Sequence, residues 1–279
     1  MLKKSFQNVN FLEDIKSIIV DPIYKTELSY EGLKILGNSE YTLENNIPKL
    51  IPFNIPKAAN FTDQVKALWG ELQDLEYKMY LDDPVGVFSH ENHESANEIS
   101  KIILELSSGS ILDIGCGALS RPSYMPISPK INFYGIDPYF GDKQRSFPFI
   151  QALGEFIPFS SFSFDNAIIA TSLDHVFFPH MVFSDTYRVL KNGGKLFVWQ
   201  TIYEEKHDNY IRWKNLKDLN PLKAAQFDKY HQWAFTENSL MALAEEAGFK
   251  KTYINILNKN NMPDKTNSLE VLFLFEKIG

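Results

Sequence analysis

The chain has 279 residues, of which 44% are hydrophobic and 14% aromatic. That is enough apolar material for a sizeable core and excludes a disordered chain. The formal net charge of −7 and the absence of a dense Lys/Arg run argue against a broad nucleic-acid footprint. A single cysteine, Cys116, excludes an internal disulfide and suits a reducing compartment. The N-terminal Met1-Leu-Lys-Lys-Ser-Phe lacks the apolar stretch of a signal peptide. No apolar run approaches the roughly 20 residues that a membrane span needs. The expectation is a cytoplasmic protein without a span.

In chain order, residues 1–58 differ in character from the rest. Short apolar pieces punctuated by turn residues, from Ser17-Ile-Ile-Val-Asp-Pro-Ile-Tyr24 through Gly32-Leu-Lys-Ile35 to Tyr41-Thr-Leu-Glu-Asn-Asn-Ile-Pro-Lys-Leu50, predict a small β-rich module. Its spacing resembles the zinc-ribbon segment found before bacterial methyltransferase domains. Asp21-Pro22-Ile23-Tyr24 stands where that segment has its first cysteine pair, and Lys34 and Gly37 stand at the second. With all four thiolates missing, no zinc is expected, because a structural site needs its four ligands. A plain N-terminal arm with a chance likeness is the competing reading.

Residues 59–94 read as a helical linker or cap. Val65, Leu68, Leu72, Leu75 and Met79 recur at helical spacing over 62–80, and Pro84 and Gly86 then break the pattern. From 95 to 279 helical and extended segments alternate. Glu94 to Leu106 reads as a helix with Ile99, Ile102, Ile103 and Leu106 on one face. Strands are predicted at 111–114, 132–137, 149–151, 166–170, 195–199, 251–257 and 270–275. Helices are predicted at 177–190, ending near Gly193-Gly194, and at 237–246. Seven strands with intervening helices predict a Rossmann-like, doubly wound α/β sheet.

The most telling stretch is Ile111-Leu-Asp-Ile-Gly-Cys-Gly-Ala-Leu-Ser-Arg-Pro122, a buried strand running into a glycine turn. The dinucleotide pattern G-x-G-x-x-G fails, because its third glycine falls on Ser120. A P-loop fails too, because no Gly-Lys-Ser/Thr follows. What remains is a turn for a ligand without a phosphate chain. Asp113-Ile-Gly115-Cys-Gly117 resembles the first motif of class I S-adenosylmethionine (SAM) dependent methyltransferases. Three further segments resemble that family in the same order: Gly154-Glu-Phe-Ile-Pro-Phe159 with Ser163-Phe-Asp165, then Arg188-Val-Leu-Lys-Asn-Gly-Gly194, then Glu245-Glu-Ala-Gly-Phe249.

The resemblance implies SAM as cofactor. Asp113, Gly115 and Gly117 would hold the methionine part, and Asp137 the ribose hydroxyls. Leu153 and Gly154 would frame the adenine, and Thr171 would lie near the transferred methyl. Two positions depart from the family pattern. Leu153 replaces the usual adenine-binding Asp, and Leu119 replaces a third loop glycine. The stretch between Asp137 and Phe149 is also too short for the usual helix, which predicts a more open cofactor pocket on that side.

The implied reaction is methyl transfer by in-line displacement to a small molecule, sugar or lipid-linked acceptor. Nucleic acid is an unlikely acceptor on the charge balance. A hydroxyl acceptor would need a general base, and His175 and His231 are the candidates. The aromatic-rich segment 200–233 reads as a substrate lid or an oligomer surface. The segment 81–92 would close the opposite side. The alternative reading is a catalytically silent relative that uses the same fold for binding.

Overall fold

A computed structural model describes residues 11–52, 94–140, 144–203, 233–261 and 267–279. The helix expected over 62–80, the segment 81–92, most of 200–233 and His231 lie outside the described residues.

Four short strands open the described chain after a single helical turn, α1 (Phe11–Ile15). They are β1 (Ser29–Glu31), β2 (Lys34–Leu36), β3 (Glu40–Glu44) and β4 (Ile47–Lys49), and they form an antiparallel meander. The β3–β4 connection is the tight pair Asn45-Asn46, both at positive φ, which Asn tolerates better than most residues. The central sheet then begins with α2 (Glu94–Leu106), β5 (Gly109–Ile114), β6 (Ile131–Asp137) and β7 (Phe149–Gln151). It continues through β8 (Phe164–Ala170), α3 (Pro179–Val189), β9 (Leu190–Tyr203), α4 (Glu237–Glu246), β10 (Phe249–Asn261) and β11 (Asn267–Lys277).

The strands form one sheet in the order β1-β2-β3-β4-β7-β6-β5-β8-β9-β11-β10. Strands β5 to β9 are mutually parallel where they pair. β11 is inserted antiparallel between β9 and β10. The seven expected strands are therefore present, but the N-terminal module is not a separate sheet. β4 pairs in parallel with β7 through Lys49 and Gln151, adding four strands to the edge. A single bridge of this kind leaves no local trace in the sequence.

Both faces are covered. Ile99 and Ile103 of α2 pack with Ile111, Phe133, Ile168, Phe197 and Trp199 on one face. Val182 and Phe183 of α3, with Leu240 and Leu243 of α4, pack on Leu112, Ala167, Val198 and Phe273 on the other. The strands alternate between two buried faces, which is why β5 and β8 carry unbroken apolar pieces, Ile111-Leu112 and Ala167 to Ala170.

Two boundaries differ from expectation. α3 starts at Pro179, which supplies the fixed φ of a first helical turn. β9 starts at Leu190, not 195. Phe164 faces Leu190 but Asn166 faces Lys195, so the Asn192-Gly193-Gly194 turn is absorbed as an irregularity within the strand, with Gly193 at φ +73°.

In the module, Asp21 is fully buried. Its Oδ1 accepts the N–H groups of Ile23 and Tyr24, both at 2.9 Å. Its Oδ2 accepts the Asn38 N–H and the Tyr41 hydroxyl, both at 3.2 Å. A Cβ on Gly37 would lie 2.8 Å from Asp21 Oδ2 and 2.7 Å from Leu28 Cδ2, so the second turn closes directly onto this carboxylate. Burial also pushes the Tyr41 phenol up, with Asp21 beside it adding to the effect.

Candidate cofactor and acceptor site

The chain runs from β5 outward to β6 and β7, then crosses back to place β8 on the other side of β5. The carboxyl ends of β5 and β8 therefore form the switch point of the sheet, where α/β folds open a crevice for ligands. Asp113, Gly115, Gly117, Asp137, Thr171 and His175 all come from the carboxyl ends of β5, β6 and β8 or the turns that follow them.

The glycine turn is built from both sides. The N–H groups of Gly115 and Cys116 donate to the Ile136 carbonyl at 2.9 and 3.1 Å. Gly115 has φ +84° and Gly117 +69°, so both need glycine's freedom. A Cβ on Gly115 would fall 2.4 Å from Ser172 Cβ. Ser172 itself donates its hydroxyl to the Ile114 carbonyl at 2.8 Å.

Asp137 organises the turn. Its Oδ2 accepts the Gly117 N–H at 2.8 Å and its Oδ1 accepts the Tyr139 N–H at 2.7 Å. Asp137 thus faces the turn with both oxygens, at the strand end where the ribose hydroxyls are expected. Asp113 has a different setting. It is fully buried, and its Oδ2 accepts the Tyr124 hydroxyl at 3.0 Å. Its Oδ1 has no hydrogen-bond partner among the described residues. Burial raises its pKa well above the usual carboxylate range; the Tyr124 bond lowers it, and the nearby charge of Asp137 adds to the rise.

Four residues to which sequence reading gave no side-chain role, Tyr124, Arg145, Ser146 and Glu155, tie together the loops around this turn. Arg145, almost fully buried, donates to the carbonyls of Gly117 at 2.7 Å, Tyr139 at 3.1 Å and Phe140 at 2.6 Å. Its guanidinium lies 3.5 Å from the Phe149 ring centroid, a cation–π contact. Ser146 adds two bonds to the Ser120 carbonyl, from its N–H at 3.0 Å and its hydroxyl at 3.2 Å. Arg145 and Ser146, in the connection after β6, thus fasten it to the glycine turn. Arg145 sits in a polar run without periodicity, so nothing local marks it. Tyr124, between Ser123 and Met125, carries no motif either, and the Gly154 to Phe159 segment marks Glu155 as a position without giving its side chain a role.

The next wall is the turn after β7. Leu153 is buried, and a Cβ on Gly154 would lie 3.1 Å from Ile114 Cγ2. Glu155 is buried, and its Oε1 accepts the N–H groups of Phe177 at 2.9 Å and Phe178 at 3.4 Å. Burial raises its pKa despite these bonds. It ties the turn to the loop after β8.

In that loop Thr171 adopts φ +51°, a strained setting for a β-branched residue. Its N–H is held by the Trp199 carbonyl at 2.8 Å. His175 is about one-quarter exposed, and its Nε2 lies 3.6 Å from Asp174 Oδ1. Trp233, at the far end of the segment 204–232, returns to this loop. Its N–H donates to the Asp174 carbonyl at 3.2 Å and its Nε1 to the Val176 carbonyl at 2.6 Å. Leu119, the other departure from the family pattern, is half-buried beside the glycine turn. Among the described residues, no group of three or more His, Cys, Asp or Glu is placed to hold a metal ion.

A parallel sheet with a glycine turn, two strand-end carboxylates and a strained loop at its switch point defines a nucleoside-binding α/β protein with the class I methyltransferase fold. The methyltransferase domain family model matches residues 89–254, more than half of the chain. The chain belongs to that family and is a methyltransferase.

Solved structures resemble the chain at low identity, and the first of these shares its fold. The 1,6-didemethyltoxoflavin-N1-methyltransferase of Burkholderia thailandensis, solved with 1,6-didemethyltoxoflavin and S-adenosylhomocysteine bound, is 14% identical. Its match covers 91% of this chain and 100% of that one with a TM-score of 0.53. The YcgJ protein of Bacillus subtilis is 15% identical, covering 67% of this chain and 100% of that one at a TM-score of 0.49. A SAM-dependent methyltransferase of Methanosarcina mazei is 18% identical, covering 64% and 97% at 0.44. No curated protein matches the chain by sequence.

Proposed function

We propose that the protein transfers the methyl group of SAM to a small-molecule, sugar or lipid-linked acceptor. The observation that carries this reading is the unpaired Asp113 Oδ1, buried at the foot of a glycine turn that Asp137 holds in shape. A buried carboxylate oxygen without a donor is costly, and an ammonium such as that of a methionine moiety removes the cost. Asp113 would hold that ammonium, with the Gly115 to Gly117 backbone beside it. Asp137 would accept the ribose hydroxyls. Leu153 and Gly154 would pack against the adenine.

SAM, when bound, supplies a methyl group already activated by a sulfonium leaving group. The chain's own task is then mainly alignment of the two reactants. Thr171 and Ser172 form the floor between cofactor and acceptor, and His175 would take the proton of a hydroxyl acceptor. Asp174 favours the imidazolium that results, at the 3.6 Å separation given above. The bonds of Trp233 to Asp174 and Val176, beside His175, support an acceptor side at this loop. The four short N-terminal strands would be a metal-free version of the ribbon, with Asp21 collecting the turn N–H groups that a metal's ligands otherwise organise. The meeting of Asp21 and Gly37 supports this.

Titration calorimetry with SAM and S-adenosylhomocysteine tests the cofactor. Binding in the micromolar range is expected, and Asp137→Ala should abolish it. No heat at millimolar ligand would overturn the reading.

A further inference from the structure

The turn Ala152 to Phe156, which would frame the adenine, is clasped on both flanks by the N-terminal module. On the upstream side the Leu50 N–H donates to the Gln151 carbonyl at 2.8 Å, extending the β4–β7 pairing. Gln151 in turn donates its side-chain amide to the Pro138 carbonyl at 2.8 Å, directly after the ribose acid. On the downstream side the module reaches three of the four residues from Ile157 to Ser160. Lys25 Nζ donates to the Ile157 carbonyl at 3.1 Å. The Val20 N–H donates to the Pro158 carbonyl at 3.0 Å, and the Ile18 carbonyl accepts the Ser160 N–H at 2.8 Å.

Lys25 is the centre of this clasp. Its Nζ also donates to the Pro22 carbonyl at 2.6 Å and to Asp185 Oδ2 at 2.8 Å, so all three ammonium hydrogens are used. The same Asp185 oxygen accepts the Ile157 N–H at 2.6 Å. Arg188 completes the cluster, donating to Asp185 Oδ1 at 2.5 Å, to the Phe159 carbonyl at 2.6 Å and to the Ile157 carbonyl at 2.9 Å. The N–H of Ile157 is therefore fixed by α3, and its carbonyl by α3 and the module together. Lys25 itself stands at φ +57°, a conformation an L-residue keeps only when its surroundings enforce it. The Lys25 and Asp185 side chains are 26% and 12% exposed, so water screens their pairing only in part.

We infer that the N-terminal module is a working wall of the cofactor site, and that Lys25 is a positioning residue for the adenine turn, acting through Asp185 and the Ile157 peptide. The inference rests on the SAM reading only for the identity of the ligand. Lys25 touches no cofactor atom in this scheme. It sets where the turn stands, so its loss should appear in cofactor affinity and leave the reacting atoms alone.

The test compares Lys25→Met, Lys25→Arg and, as a control on the same module, Lys34→Met, which breaks only an exposed pair with Glu40. Lys25→Met is expected to raise KM for SAM roughly tenfold, within the usual range of coupling between sites, while kcat changes less than about twofold. Lys25→Arg should recover most of the loss, and Lys34→Met should match the wild type. Amide exchange at Ile157 should quicken in Lys25→Met whether or not SAM is the ligand. In the wild type, S-adenosylhomocysteine should slow exchange at Val20 and Leu50, which keeps the test alive if Lys25→Met does not fold. An unchanged KM with unchanged exchange at Ile157 would overturn the inference. So would wild-type exchange at Val20 and Leu50 that ignores bound ligand. If the wild type binds no S-adenosylhomocysteine, the functional reading fails while exchange at Ile157 still decides the clasp.

Discussion

Gly115→Ala is the sharpest single perturbation of the site. At φ +84° an alanine carries a left-handed cost of about 1–2 kcal/mol. Its methyl would also stand 2.4 Å from Ser172 Cβ and 2.5 Å from Ser172 Oγ, against the roughly 3.5–4.0 Å at which carbon atoms rest. Ser172 must move, and its 2.8 Å bond to the Ile114 carbonyl is worth about 0.5–1.5 kcal/mol. Overpacking of this kind costs a further 1–3 kcal/mol or so. A stiffer unfolded chain returns about 0.4–1 kcal/mol. The net expectation is a loss of about 3 kcal/mol, or roughly 6–12 °C in Tm for a domain of this size. Urea denaturation followed by tryptophan fluorescence measures it, with S-adenosylhomocysteine affinity read in parallel. In the double variant with Ser172→Gly the clash disappears while the φ cost stays, so the cycle should show a coupling of about 1–2 kcal/mol. A Gly115→Ala loss below about 1 kcal/mol, or a Ser172→Gly partner that restores nothing, would refute the packing argument.

Asp113→Asn should weaken SAM binding roughly ten- to a hundredfold by removing a charge-assisted bond. It should also stabilise the ligand-free protein at neutral pH. The folded pKa of Asp113 is raised, so the wild-type contribution is fully present below the ordinary value of about 4 and is lost as pH rises through the raised one. The advantage of the Asn variant should therefore widen with pH across that window in denaturation curves, and an advantage that is flat with pH would contradict it. Asp21→Ala strips four donors of a buried acceptor and should cost about 3 kcal/mol or more by chemical denaturation. Thr171→Asn, which tolerates positive φ, should raise Tm by roughly 2–4 °C through about 1 kcal/mol of relieved strain, measured by scanning calorimetry. His175→Ala should lower kcat by about a hundredfold or more for a hydroxyl acceptor, with KM for SAM unchanged in initial-rate assays.

The parts of the fold that could be read in advance are those whose physics is local. β5 and β8 announce themselves because strands buried on both faces carry apolar residues on both, as in Ile111-Leu112 and Ala167 to Ala170. Gly115 and Gly117 do so because no other residue takes their angles without strain. The parts that could not be read are joined through backbone carbonyls across long separations. Arg145 fastens Gly117, Tyr139 and Phe140, and no spacing rule links an arginine to three carbonyls. The β4–β7 bridge depends on a single parallel pairing, which neither strand advertises.

Asp113 and Asp137 show the same limit from inside the site. In sequence they are equivalent, each an acid at the end of an apolar strand. In the fold Asp137 receives two backbone N–H groups, while Asp113 receives one phenol hydroxyl and is otherwise enclosed. Similar carboxylates in different settings take different roles. Asp137 shapes the turn whether or not ligand is present, and Asp113 is held in a buried setting that disfavours its charge. Loss of Asp137 should therefore disturb the turn in the free protein as well as the ligand, whereas Asp113→Asn should weaken the ligand while stabilising the free protein. The contrast between them, more than either residue alone, supports the proposed division of labour, with Asp137 toward a diol and Asp113 toward an ammonium.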